Sequence, residues 1–188
     1  MITWVSGEEK DKLPEIFEFR YRVFIRDLGW EIPSQNQSES DQFDTRNTFY
    51  LLWKNPELRG MLRLIPTTEP YMIQTLWPDL MGAHVLYRTA SVWEMSRLGI
   101  DRAVADDERA AIFRHFTFEF LKLAAARRIK YFIAATPPAV AHSIFPDGVV
   151  PLYQCAPTRR VGRDDIAAMR IEYTERALHI FQGRMAKS

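Results

Sequence analysis

Apolar residues recur at spacings of three and four between Lys12 and Leu28, where Leu13, Ile16, Phe17, Phe24 and Leu28 mark one side of an amphipathic helix. The pattern then changes. TFYLLW (Thr48 to Trp53) and GMLRLI (Gly60 to Ile65) read as two strands joined by KNPELR, a turn rich in Asn, Pro and charge, and VWEMSRLGI (Val92 to Ile100) as a third, mostly apolar strand. Asp106 or Asp107 is placed to cap a long helix to about Ile129, with Ile112, Phe113, Phe116, Phe120, Leu121 and Leu123 on its buried side. Arg127 and Arg128 fall in its last turn, where the helix dipole favours cations. YFIAAT (Tyr131 to Thr136) is a further strand, and beyond it the pattern predicts a short helix from Arg163 to about Met169 and a final strand around Ile171 to Tyr173. This alternation of helix and strand implies an α/β sandwich.

Composition bounds the picture without changing it. A chain of 188 residues with 47% hydrophobic and 13% aromatic residues is sized for one domain with a large core, so residues 1–188 are expected to form a single domain. The eleven prolines are scattered as turn punctuation and no internal repeat is visible. Twenty-five basic against 24 acidic residues leave a formal net charge of +1, which offers no overall field for nucleic acid or an anionic membrane. The lone Cys155 forms no intramolecular disulfide, MITWVSGEEK lacks the profile of a signal peptide, and no apolar run reaches the length of a membrane span. A cytoplasmic location is the expectation.

The informative residues are charges that interrupt apolar segments. Arg20 lies on the stripe of the first helix, Arg63 inside GMLRLI, and Glu94 with Arg97 inside VWEMSRLGI, while ESDQFD packs Glu39, Asp41 and Asp44 into one short polar stretch. An unpaired buried charge costs several kcal/mol, so each buried arginine must reach water or meet an anion. Glu94 and Arg97 are three apart, which in a strand points them to opposite faces unless a β-bulge re-aims one. These constraints predict that Arg20, Arg63 and Arg97 converge with Glu39, Asp41, Asp44 and Glu94 in one polar cluster. The plainer alternative is a solvated loop and solvated strand arginines. ESDQFD lacks the glycine and twelve-residue ligand pattern of a calcium loop, and no nearby His or Cys points to a transition metal, so no metal site is expected.

Taken in order, Arg20 with Phe24 and Trp30, then Glu39-x-Asp41-x-x-Asp44, then Arg63 in RLxPT, then Glu94-x-x-Arg97 in WEMSRLGI, resemble the acyl-homoserine-lactone synthases, the LuxI-type autoinducer synthases. The likeness runs from about Phe17 to Asp101 and fades beyond Ile129; Trp77 stands where the family usually has Phe. The resemblance implies an N-acetyltransferase-like fold, a mixed twisted sheet with helices on both faces. It also implies transfer of an acyl group from a thioester of acyl carrier protein or coenzyme A to S-adenosylmethionine, releasing methylthioadenosine. S-Adenosylmethionine is a substrate there, and no cofactor is implied. Glu94 and Arg97 become the catalytic candidates, and Arg20, Phe24, Trp30, Glu39, Asp41, Asp44, Arg63 and Trp77 the substrate-binding ones.

The chemistry suits those residue types. Carboxylates favour a sulfonium and an α-ammonium, worth a few kcal/mol per close pair at an effective dielectric near 20, and arginines keep the carboxylates from repelling one another. Phe24 and Trp30 are suited to stack on the adenine or the sulfonium, or equally to serve as core. Glu94, inside a strand where burial raises a carboxyl pKa, is the candidate general base, and N–H groups freed by a bulge around Met95 to Leu98 are candidate oxyanion donors. Phe113, Phe116 and Phe120 fit an acyl tunnel or ordinary core, and Arg159 to Arg163 or Arg127 to Lys130 an acidic carrier protein or plain solvent. Two rivals stay open: a coenzyme A-dependent N-acetyltransferase of the same fold and a non-catalytic binding module. RLGIDRAVADDE counts against the first, having no second glycine and acids where a pyrophosphate would lie.

Overall fold

The computed structural model describes residues 1–145 and 148–187. The chain divides into two compact units, Met1–Ile65 with Ser96–Ile112 and Pro66–Met95 with Phe113–Ser188. The strand β4 (Val92–Ile100) and the helix α3 (Asp106–Arg127) each contribute residues to both.

In the first unit, β1 (Ile2–Ser6) pairs antiparallel with β2 (Phe49–Lys54), and β2 antiparallel with β3 (Leu58–Pro66). The register sets Tyr50 opposite Arg63. β3 is apolar enough to be buried continuously from Gly60 to Ile65, and Arg63 is carried inside with it. The helix α1 (Leu13–Arg20) starts with proline in its first turn and buries Leu13, Ile16, Phe19 and Arg20. Leu13, Ile16, Phe19, Val23 and Phe24 pack with Tyr50, Leu52 and Met61 as one apolar core. The helical stretch expected to Leu28 is α-helical only to Arg20. From Tyr21 to Asp27 it widens into a π-helical turn, in which the Leu28 N–H reaches back five residues to the Val23 carbonyl at 3.1 Å.

In the second unit the start of β4 runs parallel to β5 (Tyr131–Thr136), with Glu94 opposite Ile133. β5 is antiparallel to β8 (Asp164–Glu172), which also pairs antiparallel with β6 (Leu152–Gln154) and β7 (Arg159–Val161). The helices α2 (Met72–Leu76), α4 (Pro138–Ile144) and α5 (Glu175–Met185) complete it, α5 being capped by the Thr174 hydroxyl, which accepts from the Ala177 N–H at 3.0 Å.

The helix expected from Arg163 to Met169 is instead part of β8, and the short strand expected at Ile171 to Tyr173 is that strand's end. Two alanines gave the segment helical propensity, but pairing with β5 on one side and β6 and β7 on the other buries Ile166 to Met169 and overrides it. No helix among the described residues is long and apolar enough to cross a membrane.

Candidate active site

The first unit assembles six of the seven predicted charges. Arg20, the last residue of α1, is completely buried. Its Nε donates to Glu39 at 2.5 Å and its Nη2 to the other Glu39 oxygen at 2.8 Å, a bidentate pair, while Nη1 donates to both oxygens of Asp44 at 2.7 and 2.8 Å. Arg63, equally buried on β3, sends Nη1 to Asp41 at 2.7 Å and to Asp44 at 2.8 Å, and Nε to the Ser96 hydroxyl at 2.9 Å. Arg97 completes the set from β4, with Nη2 donating to Glu39 at 2.9 Å and Asp41 at 3.0 Å. Arg97 has φ of +51°, a left-handed conformation uncommon for a residue with a side chain. It interrupts the alternation of the strand, as a re-aimed residue must.

The loop's backbone is tied into the same network. The Glu39 N–H donates to the Phe17 carbonyl at 3.1 Å, the Asp41 N–H to Asp44 at 2.7 Å and the Phe43 N–H to Asp41 at 2.9 Å. The Tyr50 hydroxyl donates to Asp44 at 2.8 Å. Burial works against the charge of Arg20, yet the hydrogen bond with Glu39 and attraction from Asp44 outweigh it and hold its pKa above the usual arginine value. Burial opposes ionisation of Glu39 too, but its bonds from Arg97 and Arg20 keep its carboxyl below the ordinary range. Asp41 is likewise lowered, burial being outweighed chiefly by Arg63. For Tyr50, burial first and the neighbouring Asp44 charge next push the phenol far up, so it is a neutral donor.

Phe24 and Trp30 form the aromatic side of this cluster. The π-helical turn and the bond from the Trp30 N–H to the Phe24 carbonyl at 2.9 Å fold the chain back, so that the two rings stack with centroids 4.8 Å apart and planes 25° apart. The Arg97 guanidinium sits 5.8 Å from the Phe24 centroid and 5.9 Å from that of Trp30. Phe24 is buried and Trp30 is 38% exposed, so only the second ring presents a broad accessible face.

Glu94 lies in the second unit. Its Oε2 accepts from the Met72 N–H at 2.9 Å and its Oε1 from the Ile73 N–H at 2.8 Å, the first two amides of α2. The carboxylate thus closes the start of a helix, in addition to its place beside Arg97 in the sequence. Tyr71, immediately before, has a buried phenol pushed up to about 12 by burial and by the Glu94 charge. Trp77 is half-buried at the end of α2, also in this unit. Phe116 and Phe120 are core, Phe120 meeting Phe132 edge-on at 5.2 Å, while Phe113 is partly buried. A recess of about 430 Å³ in this unit is lined by Pro66, Thr68, Ala90, Trp93 and Arg127. Of the basic residues noted in the sequence, Arg159 pairs with Asp79 and Arg160 with Asp165 at 2.6 and 3.1 Å.

Tyr50 and Ser96 escaped the sequence reading. Tyr50 was hidden in an apolar strand run, and only the cross-strand register reveals it opposite Arg63. Ser96 lies between Glu94 and Arg97 in WEMSRLGI, so its position beside the charges was the available signal.

A family model described as autoinducer synthase matches residues 5–130, about two thirds of the chain. The chain belongs to this family. An acyl-homoserine-lactone synthase of Aeromonas salmonicida is 38% identical over 88 residues, 46% of this chain and 42% of that one; the chain thus spans less than half the length of that curated relative. Among solved structures, the acyl-homoserine-lactone synthase LasI superposes with a TM-score of 0.85 at 20% identity, covering 97% of this chain and 94% of its own. BjaI, a coenzyme A-dependent acyl-homoserine-lactone synthase solved with S-adenosylmethionine and isopentyl-coenzyme A, gives 0.86 at 22% identity, covering 99% and 89%. These two likenesses establish the mixed α/β synthase fold for this autoinducer synthase family member.

Proposed function

We propose that this protein is an acyl-homoserine-lactone synthase, which acylates S-adenosylmethionine from a fatty-acyl thioester of acyl carrier protein or coenzyme A and releases methylthioadenosine. The observation that carries the reading is the buried set of Arg20, Arg63 and Arg97 on Glu39, Asp41 and Asp44, with Phe24 and Trp30 stacked beside Arg97. Burying six ionised side chains is costly, and such networks are a feature of functional sites. Glu39 and Asp44 are nearly inaccessible, whereas the Asp41 side chain is 20% exposed. Asp41, which also accepts from Arg63 and Arg97, is therefore the acid whose exposed edge is placed to meet the α-ammonium or sulfonium, while Glu39 and Asp44 hold the arginines from the interior. The exposed ring of Trp30 serves as the stacking surface for the adenine or sulfonium.

The reaction then runs in two steps. The α-ammonium loses a proton to Glu94, directly or through water, and the freed nitrogen attacks the thioester carbonyl. Main-chain N–H groups around Met95 to Leu98 stabilise the tetrahedral oxyanion, which collapses to an amide as the thiolate departs and takes up the surplus nitrogen proton to leave as the free thiol. The methionyl carboxylate next attacks its own γ-carbon. The carbon–sulfur bond breaks towards the sulfonium sulfur, giving the lactone and neutral methylthioadenosine. That closure is intramolecular, so holding the chain curled is the protein's main contribution to it.

Incubation of the purified protein with S-adenosylmethionine and a panel of acyl thioesters on both carriers tests the reading by mass spectrometry. Lactone and methylthioadenosine are expected in equal amounts, and their absence with every donor rejects the assignment. The same panel reads out chain length and carrier.

A further inference from the structure

Gly99 lies on β4, two residues after Arg97, and has no part in the chemistry above. Among the described residues the glycines with positive φ are Gly29, Gly82, Gly148 and Gly162, so Gly99 is not required for a left-handed backbone. It is required for space. A methyl group on its Cα would lie 2.8 Å from Cζ and 3.3 Å from Cε1 of Phe24, and 3.1 Å from Cγ1 of Val23. Carbon atoms in contact normally sit about 3.5–4.0 Å apart, so any side chain here displaces the ring. The ring cannot yield as the end of a flexible chain does, because Phe24 is rigid, 1% exposed, stacked on Trp30 and covered by the Arg97 guanidinium.

We infer that Gly99 is a positioning residue for the aromatic half of the S-adenosylmethionine site. Its bare Cα sets the depth of the Phe24 ring, and through that ring the tilt of Trp30 and the seat of Arg97 over both. The inference rests on the proposed role of that cluster in binding S-adenosylmethionine.

The test compares the wild type with Gly99→Ala, Phe24→Leu and the double variant. Three quantities are read: KM for S-adenosylmethionine against kcat at saturating acyl donor, calorimetric binding of S-adenosylmethionine, and the ¹⁹F resonance of Trp30 in 5-fluorotryptophan-labelled protein, assigned by its loss in Trp30→Phe. Overpacking at a buried contact predicts that Gly99→Ala raises KM and Kd about tenfold, with kcat changed much less, and moves the Trp30 resonance without ligand. In the Phe24→Leu background, where the ring tip is gone, the same substitution adds less than about twofold to KM by the non-additivity expected of residues in contact. If Gly99→Ala alone does not fold, the double variant regains folding.

Unchanged KM and resonance in Gly99→Ala, equal increments in both backgrounds, or failure of the double variant to fold when Phe24→Leu does, each overturns the inference. A wild type that binds no S-adenosylmethionine overturns the site reading instead, and the ligand-free ¹⁹F shift still decides whether Gly99 positions the rings.

Discussion

The six-charge network of the first unit and the Glu94 carboxylate of the second bury ionised groups by different means. In the network every formal charge is answered by side chains, three guanidiniums against three carboxylates, and the Asp41 and Phe43 amides add backbone donors that shape the loop. Glu94 is answered by two backbone amides at the start of α2. A network of side chains fixes residues from α1, the acidic loop, β3 and β4 relative to one another, whereas amides fix one carboxylate relative to one turn. The first arrangement orders several elements at once; the second orders a single carboxylate. Positive and negative side chains balance within the network, so each acid of the loop is engaged by arginine.

The largest effect should follow from breaking the network at its most enclosed member. Glu39→Gln removes the bidentate partner of Arg20 and an anion shared with Arg97, leaving buried positive charge unmatched. A loss of about 3–5 kcal/mol is expected in urea unfolding, as for other broken buried pairs. A change below about 1 kcal/mol would show that water already screens the cluster, because exposed pairs contribute no more than that.

Glu94→Gln should give the opposite balance, a modest fall in stability and a large fall in turnover. The substituted amide presents an NH₂ to one of two N–H groups, so at least one of the Met72 and Ile73 bonds is lost, at about 1–3 kcal/mol. If Glu94 takes the proton, kcat falls by ~10²-fold or more. Turnover near that of the wild type would reduce Glu94 to a helix-closing residue and move the base elsewhere.

The network also responds to pH. Glu39 and Asp41 are held below their ordinary values of 4.5 and 3.8, so the folded state binds protons less readily than the unfolded one. Their contribution is therefore complete above about those ordinary values and is lost as pH falls through the lowered folded ones. Thermal unfolding followed from pH 7 to pH 3 should show a falling midpoint below about pH 4.5 that Asp41→Asn makes shallower, at moderate ionic strength. An identical acid slope in the variant would remove Asp41 from the linkage.

What the sequence made legible follows from the same contrast. Arg20, Arg63 and the acidic loop could be connected because a charge in an apolar segment needs a partner, and ESDQFD concentrates three carboxylates in one short stretch. Strands with strong apolar runs, such as β4 and β5, were read with their observed bounds. The bonds of Glu94 were not readable, since backbone amides carry no sequence signal. Nor was β8, whose buried alanines become strand only through pairing on both edges. The π-helical turn after Arg20 was likewise invisible, because its apolar residues also fit a continued α-helix.

The smallest predicted effect sharpens the comparison most, because it removes one neutral donor and no charge. Tyr50→Phe deletes the hydroxyl that donates to Asp44 while leaving that carboxylate its bonds from Arg20, Arg63 and the Asp41 amide. The aromatic ring and its place in the core remain, so no cavity of consequence opens. A hydrogen bond to a charged acceptor then sets the expectation at about 1.5 kcal/mol in stability, the lower end for such bonds because the carboxylate keeps its other donors. If ionic partners alone organise the acidic loop, KM for S-adenosylmethionine should stay within about twofold of the wild type, as for a site whose ligand contacts are unchanged. A rise of tenfold or more would mean that this one neutral donor sets the orientation of Asp44. The network would then depend, as Glu94 does, on a donor that carries no charge.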